Sequence, residues 1–134
     1  MEISTISWQQ TIPLRQSVLW PNKSPEFCYV DGDDDGLHFG AFIEGTLVCV
    51  ASVYLTSDKA RLRKFATDAR YQNQGIGSKM LAHILQSLKA SQIIWFWCDA
   101  RASAVAFYNR FGMRVCSERF YKAEVLYYKM KVAL

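Results

Sequence analysis

The stretch Arg70-Tyr71-Gln72-Asn73-Gln74-Gly75-Ile76-Gly77-Ser78 runs directly into an amphipathic segment, a junction able to hold an anion. The first turn of a helix leaves backbone N–H groups without intrahelical partners, and its aligned peptide dipoles add partial positive charge there. Gly75 and Gly77 carry no Cβ to keep a phosphate away and tolerate the angles that turn several amides inward. The chemistry on offer is the binding of a pyrophosphate. A glycine pair serves equally well to make a tight turn from strand to helix, so the context has to decide.

Spacing separates three phosphate-binding designs. A P-loop needs Gly-Lys-Ser/Thr, and the chain contains no such tripeptide. A dinucleotide fingerprint over Gly75-Ile76-Gly77-Ser78-Lys79-Met80 puts Met80 where a third glycine must allow close packing, although Asp99 lies at about the right distance for a ribose hydroxyl. The third design fits: Gln72-Asn73-Gln74-Gly75-Ile76-Gly77 resembles the Gln/Arg-x-x-Gly-x-Gly/Ala signature of the GNAT superfamily of N-acetyltransferases. In that family the loop holds the pyrophosphate of acetyl-coenzyme A. A second stretch, Ala104-Val105-Ala106-Phe107-Tyr108-Asn109-Arg110-Phe111-Gly112-Met113, resembles the Ala-x-x-Phe-Tyr-x-x-x-Gly-Phe segment after the fifth strand of many such enzymes. The two occur in the family's order and separation. The resemblance covers Arg61 to Met130, and the residues before it match in element order alone.

The resemblance implies an acyltransferase that moves an acetyl group from acetyl-coenzyme A to a primary amine, of a small molecule or a protein, by direct attack and without a metal. Attack creates a tetrahedral oxyanion, and a backbone N–H of the strand Phe65, Ala66, Thr67 is the implied stabiliser, with Ala66 as the expected donor. The same three residues are expected to face the Cys98 end of a splayed neighbouring strand, leaving a gap for pantetheine. Gln72, Asn73, Gln74, Gly75, Ile76, Gly77 and Ser78 are the implied pyrophosphate ligands. Tyr108 matches the usual general acid for the leaving thiolate; read without the resemblance, it is an aromatic core residue beside Phe107. No carboxylate lies within Arg61 to Thr67, so Asp68, Glu44, Asp99 and Asp33 to Asp35 all stay open as the general base. Arg101 stands where relatives often carry Asn, and Tyr127 where a histidine precedes Tyr in some small relatives. Two other functions are compatible with the loop: a non-catalytic acyl-coenzyme A sensor or interaction module, and a toxin-like acetyltransferase acting on aminoacyl-tRNA.

The elements that must position these residues follow from periodicity. Ile76, Met80, Leu81, Ile84, Leu85 and Leu88 recur at helical spacing, so the loop opens a helix reaching about Ser91. Ser4 to Ser7 reads as an edge strand and Gln9 to Trp20 as a helix with Ile12, Leu14, Val18 and Leu19 inward, stopped by Pro21. Asn22 to Gly36 is polar and turn-rich. Glu44-Gly45-Thr46 joins Phe39 to Ile43 and Leu47 to Leu55 as a hairpin, and Arg61 to Thr67 forms the next strand. Gln92 to Cys98 is almost continuously apolar, as for a central strand covered on both faces. Ala102 to Phe111 reads as a short helix ended by Gly112, and strands Met113 to Phe120 and Val125 to Val132 flank a turn near Lys122 and Ala123. The expected fold class is α/β (α+β): a GNAT-like mixed, mostly antiparallel sheet flanked by helices, as a single domain over residues 1–134.

Composition narrows the remaining classes. With 51% apolar and 21% charged residues the chain is globular rather than disordered. The net charge of +4 is modest; Lys59, Arg61, Arg63, Lys64 and Arg70 make either a phosphate-facing cluster or a solvated strand edge, and no nucleic acid is expected. Neither a leader-like start nor a bilayer-length apolar run occurs, so a cytoplasmic location with no membrane partner is expected, and a homodimer stays open. The four cysteines are scattered, with no Cys-x-x-Cys pair, and three of them sit within apolar stretches and read as buried reduced thiols; His38 and His83 read as structural or surface residues. Asp31-Gly32-Asp33-Asp34-Asp35-Gly36 opens like a calcium loop, but Phe42 occupies the position that needs a bidentate Glu. The loop is then a solvated turn or an acidic rim that weakly favours a cationic acceptor.

Overall fold

The computed structural model describes residues 1–134, and its strands appear where the β-prone runs lie. They are β1 (Glu2–Ile6), β2 (Leu37–Ile43), β3 (Thr46–Thr56), β4 (Lys59–Thr67), β5 (Trp95–Arg101), β6 (Arg114–Val115), β7 (Phe120–Lys122) and β8 (Val125–Ala133). All eight join one sheet in the order β1-β2-β3-β4-β5-β8-β6, with β7 also paired to β8. Only the β4–β5 pair is parallel; the helix between them makes that crossover. The expected mixed, mostly antiparallel sheet is what forms.

Helix α1 (Trp8–Leu14) starts with a capping box: the Ser7 side chain accepts from the Gln10 N–H, and the Gln10 side chain accepts from the Ser7 N–H. Pro13 lies inside it, and from Arg15 to Leu19 the helix widens into a π-turn, with the Trp20 N–H donating to Arg15 O at 3.2 Å. Helix α2 (Ile76–Lys89) buries Ile76, Met80, Leu81, Ile84 and Leu88 against Phe39, Ala41, Cys49 and Ala51 of the sheet. Each large apolar side chain so buried contributes about 1.5–3 kcal/mol. On the opposite face, Leu14 packs on Val50 and Ala66, which alternate with the residues under α2. Helix α3 (Val105–Asn109) follows a short turn over Ala102–Ala104. No helix is long and apolar enough to cross a membrane.

Three expectations need correction. Strand β5 is central, but only Phe96, Cys98 and Ala100 face the apolar core. The other face carries Trp95 and Trp97, covered by cations: Lys131 lies 4.3 Å from the Trp95 ring, and Arg61 and Lys129 each lie 4.6 Å from Trp97. Amphipathic stems and cation–π attraction do here what an apolar layer was expected to do. Second, Met113 to Phe120 splits into β6 and β7, and the turn into β8 is made by Ala123 and Glu124, both at positive φ. Third, the acidic loop is neither wholly solvated nor wholly a rim. Asp33 is buried and ion-paired with Arg15 at 2.6 Å, and it also accepts from Tyr54 and from the Val30 N–H. The polar knot continues through His38, whose Nε2–H donates to Asp33 O at 2.9 Å while Nδ1 accepts from the Ser52 hydroxyl at 2.7 Å. Both His38 and Asp33 are thus structural, tying the irregular segment and α1 to β2 and β3.

Candidate active site

The glycine loop is held by its own side chains. Asp68 caps the turn Ala69–Tyr71, accepting from the Arg70 N–H at 2.9 Å, and the Arg70 guanidinium folds back onto the same carboxylate at 3.0 Å. Arg70 is therefore committed to Asp68. Gln72 Nε2 donates to Thr67 O at 3.1 Å, and Gln74 Nε2 to Arg70 O at 3.4 Å. Asn73 and Gly75 both adopt left-handed φ, 62° and 80°, which turns the chain into α2. The first intrahelical bond is donated by Lys79 to Gly75 O, so the N–H groups of Ile76, Gly77 and Ser78 precede the helical ladder. A Cβ on Gly75 would meet nothing within 4 Å, and one on Gly77 would lie 3.6 Å from the Phe65 ring, so neither glycine is required by crowding from the protein itself. That leaves an open cradle of amides, the expected fit for an anion. Arg110 adds a guanidinium there, reaching Ser78 Oγ at 3.4 Å from the end of α3; sequence reasoning assigned it no role.

Beyond the loop the sheet opens. The β4–β5 ladder pairs Lys59 with Trp95, Ala60 with Phe96 and Arg61 with Trp97, and then ends. Over the same stretch β4 bulges: Val50 faces Ala66 but Ser52 faces Arg63, so Lys64 and Phe65 together oppose Ala51. Lys64 takes φ 54°, a conformation unfavourable for a long side chain and a mark of a constrained site. The resulting gap holds a cavity of about 350 Å³, lined by Leu19, Trp20, the β4 residues Arg61–Phe65, the β5 residues Cys98–Arg101, Ala104, Tyr108, Lys122 and Tyr127. Of the three residues expected to face this gap, Phe65 lines the cavity with Cys98 and Tyr108, its ring 6.2 Å from that of Phe107, whereas the Ala66 side chain packs with Leu14 and Val50 and the Thr67 hydroxyl donates to Cys49 Sγ.

Electrostatics assign distinct characters to the lining groups. Burial, with the Cys98 thiol beside it, pushes the Tyr108 phenol far above its ordinary value, so it stays protonated across the neutral range. Burial first, then the neighbouring cations Arg63, Arg15, Lys122 and Arg61, pushes the Lys64 ammonium down to about 8; its Nζ rests 4.5 Å from the Trp20 ring. Of the carboxylates left open as a base, only Asp99 reaches this cavity. Its Oδ2 accepts from Arg61 at 3.0 Å and Lys122 at 2.8 Å, while its buried Oδ1 has no protein partner. Glu44 lies in the exposed β2–β3 turn, Asp68 is held by Arg70 and Asp33 by Arg15. Lys59, Arg61 and Arg63, candidates for phosphate contact, line a neighbouring cleft with Tyr54, Trp97, Asp31 and Asp35, and Arg61 and Arg63 line the main cavity as well. No cluster of His, Cys, Asp or Glu side chains is grouped to hold a metal.

Comparison with known proteins places this architecture. An uncharacterized N-acetyltransferase of Bacillus subtilis (strain 168), YitI, is 33% identical over 129 residues, 90% of this chain and 87% of its own. The solved ribosomal-protein-S18-alanine N-acetyltransferase from Escherichia coli superposes with a TM-score of 0.82 at 21% identity, covering 98% of this chain and 92% of that one. A GNAT family acetyltransferase from Elizabethkingia anophelis, solved with acetyl-CoA bound, superposes with a TM-score of 0.77 at 16% identity, covering 99% and 97%. Residues 27–134 match the family described as the acetyltransferase (GNAT) domain. With most of its length inside that match, the chain belongs to the GNAT family and is an acetyltransferase.

Proposed function

We propose that residues 1–134 act as one N-acetyltransferase domain that moves the acetyl group of acetyl-coenzyme A to a primary amine by direct attack. The observation that carries this reading is the opened β4–β5 gap, with the amide cradle of α2 at its entrance and the Tyr108 phenol on its wall. Coenzyme A would bind with its pyrophosphate on Gln72 to Ser78 and its pantetheine against Phe65, Ala66 and Thr67, and it supplies an activated thioester. A structural neighbour solved with acetyl-CoA bound supports the choice of donor.

The oxyanion donor is a backbone N–H of Phe65 to Thr67. Ala66 is the residue that the resemblance selects, yet the Asp68 N–H donates to Val48 O, and strand alternation then turns the Ala66 N–H toward β3. This favours Phe65 or Thr67, the residues on either side of Ala66, as the donor. Tyr108, kept protonated by burial, delivers its proton to the departing thiolate. Asp99 is the carboxylate placed to orient Arg61 and Lys122 around the incoming amine, and its free Oδ1 makes it the favoured proton acceptor among the open candidates.

The acceptor is a small-molecule or protein amine; the S18-alanine enzyme, whose name specifies a protein acceptor, shows that the fold is used on proteins. Incubation with acetyl-coenzyme A and a broad panel of amines, read by thiol release, tests the reading. Thiol release that depends on an amine is expected; tight cofactor binding with no release for any amine would leave a binding module instead.

A further inference from the structure

The cavity at the end of the gap has a pronounced charge imbalance. Arg61, Arg63, Lys64, Arg101 and Lys122 line it, against the single carboxylate of Asp99. The Oδ2 of that carboxylate already pairs with both Arg61 and Lys122. Arg63, Lys64 and Arg101 have no carboxylate within ion-pairing distance. Arg61 and Arg63 alternate along β4 and so share one sheet face, and the bulge at Lys64 turns its ammonium onto Trp20 at the end of α1 on that face. The cradle at the start of α2 is separate, and its own cation is Arg110. The unpaired charge therefore surrounds the place where an acceptor would meet the thioester.

We infer, on the basis of the acetyl-transfer reading above, that the acceptor is a small primary amine that carries its own anionic group, a carboxylate or a phosphate, bound by Arg63, Lys64 and Arg101. A cavity of about 350 Å³ suits a small molecule. Charge-assisted hydrogen bonds from guanidinium groups and an ammonium would fix the anionic end, while a polycation would meet like charges at every wall. The same cations disfavour the ammonium form of the acceptor, so it presents the free amine that attack requires. Attack forms the C–N bond, the C–S bond breaks, the thiolate takes the Tyr108 proton, the acceptor nitrogen gives its proton to Asp99 Oδ1, and exchange with solvent returns a proton to Tyr108. The acidic loop, read from sequence as a weak pointer to a cationic acceptor, stands apart from this cavity: Asp33 pairs with Arg15, Asp34 accepts from Trp8 and Tyr29, and Asp31 and Asp35 line the neighbouring cleft.

Charge-matched pairs test this: an amino acid against its amide, an amino-sugar phosphate against the unphosphorylated amino sugar, and spermidine as a polycation. The acetylation efficiency of the anionic member should exceed that of its neutral partner by about tenfold or more in at least one pair, and which pair responds separates carboxylate from phosphate. Arg63→Gln, Lys64→Gln and, as an exposed position with no ion-pair partner, Arg101→Gln should each raise the KM for that acceptor several-fold while leaving acetyl-coenzyme A affinity unchanged. Equal or better use of neutral amines or spermidine overturns the inference. The same pairs titrated calorimetrically into the protein decide the matter without turnover: tighter binding of the anionic member supports it, and failure of every anionic amine to bind refutes it. Failure of acetyl-coenzyme A to bind, by contrast, counts against the acetyl-transfer reading alone.

Discussion

Arg15 and Asp33 form a fully buried ion pair, Nη1 to Oδ2 at 2.6 Å, that fastens the widened end of α1 to the acidic loop above β3. Removing one partner strands the other charge away from water, so Asp33→Asn should cost about 3–5 kcal/mol in denaturant unfolding. Although burial alone would raise it, hydrogen bonds from Arg15, Tyr54 and the Val30 N–H hold the Asp33 carboxyl below its ordinary value. A carboxyl depressed in the folded state contributes stability above its unfolded pKa and loses it as pH falls through the folded one. Acid unfolding of the wild type should therefore deepen below about pH 4, and Asp33→Asn should shed that part of the pH dependence. A stability loss under 1 kcal/mol would contradict the pairing.

Gly77→Val should weaken coenzyme A binding by about tenfold or more while the domain still folds, because the added branch enters the amide cradle and meets Phe65 only at ordinary contact distance. Gly75→Val should lose affinity and also some stability, since φ 80° is unfavourable for a β-branched side chain. Calorimetry decides both, and an unchanged affinity refutes the cradle.

Tyr108→Phe keeps the ring that packs 5.1 Å from Phe107 and removes only the hydroxyl. Turnover should fall by about a hundredfold, with acetyl-coenzyme A affinity within about twofold of wild type. A parallel loss of affinity would mark the phenol as a binding group rather than an acid.

Lys64 titrates at about 8 among Arg63, Arg15, Lys122 and Arg61. Since its folded value lies below the ordinary one, its charged form costs stability, and that cost is relieved as pH rises from about 8 toward the ordinary lysine range. An anionic acceptor depends on the charged form, so its KM should climb as pH passes about 8, and Lys64→Gln should remove the climb. A wild-type KM that stays flat with pH contradicts this.

Burial raises the thiols of Cys28, Cys49 and Cys98, the last two to about 11 and 12, whereas Cys116 is exposed. Native iodoacetamide treatment should label Cys116 alone, and denaturation should open the other three, as counted by intact-mass measurement.

Local chemistry made much of this protein legible before any coordinates. The glycine pair at a helix entrance, the apolar spacing of α2 and the Glu44-Gly45 hairpin each depend on neighbours along the chain, and each forms. The order of those elements, with the two signature stretches, was enough to name the fold class and the family. Other features depend on residues far apart in sequence. Helical periodicity marked Leu14, Val18 and Leu19 but could not show that Arg15 would be buried, because its partner Asp33 lies in an irregular loop. The bulge that gives Lys64 its left-handed backbone is a mismatch between β4 and β3, which neither strand carries alone. The gap after Arg61 and Trp97 exists only because two strands diverge, and the cations that line its cavity come from β4, β5 and β7. Periodicity and turn chemistry act over a few residues, so sequence determined the elements and the anion loop. Charge in a cavity sums over side chains from many elements, so tertiary structure alone decided the charge that lines this one.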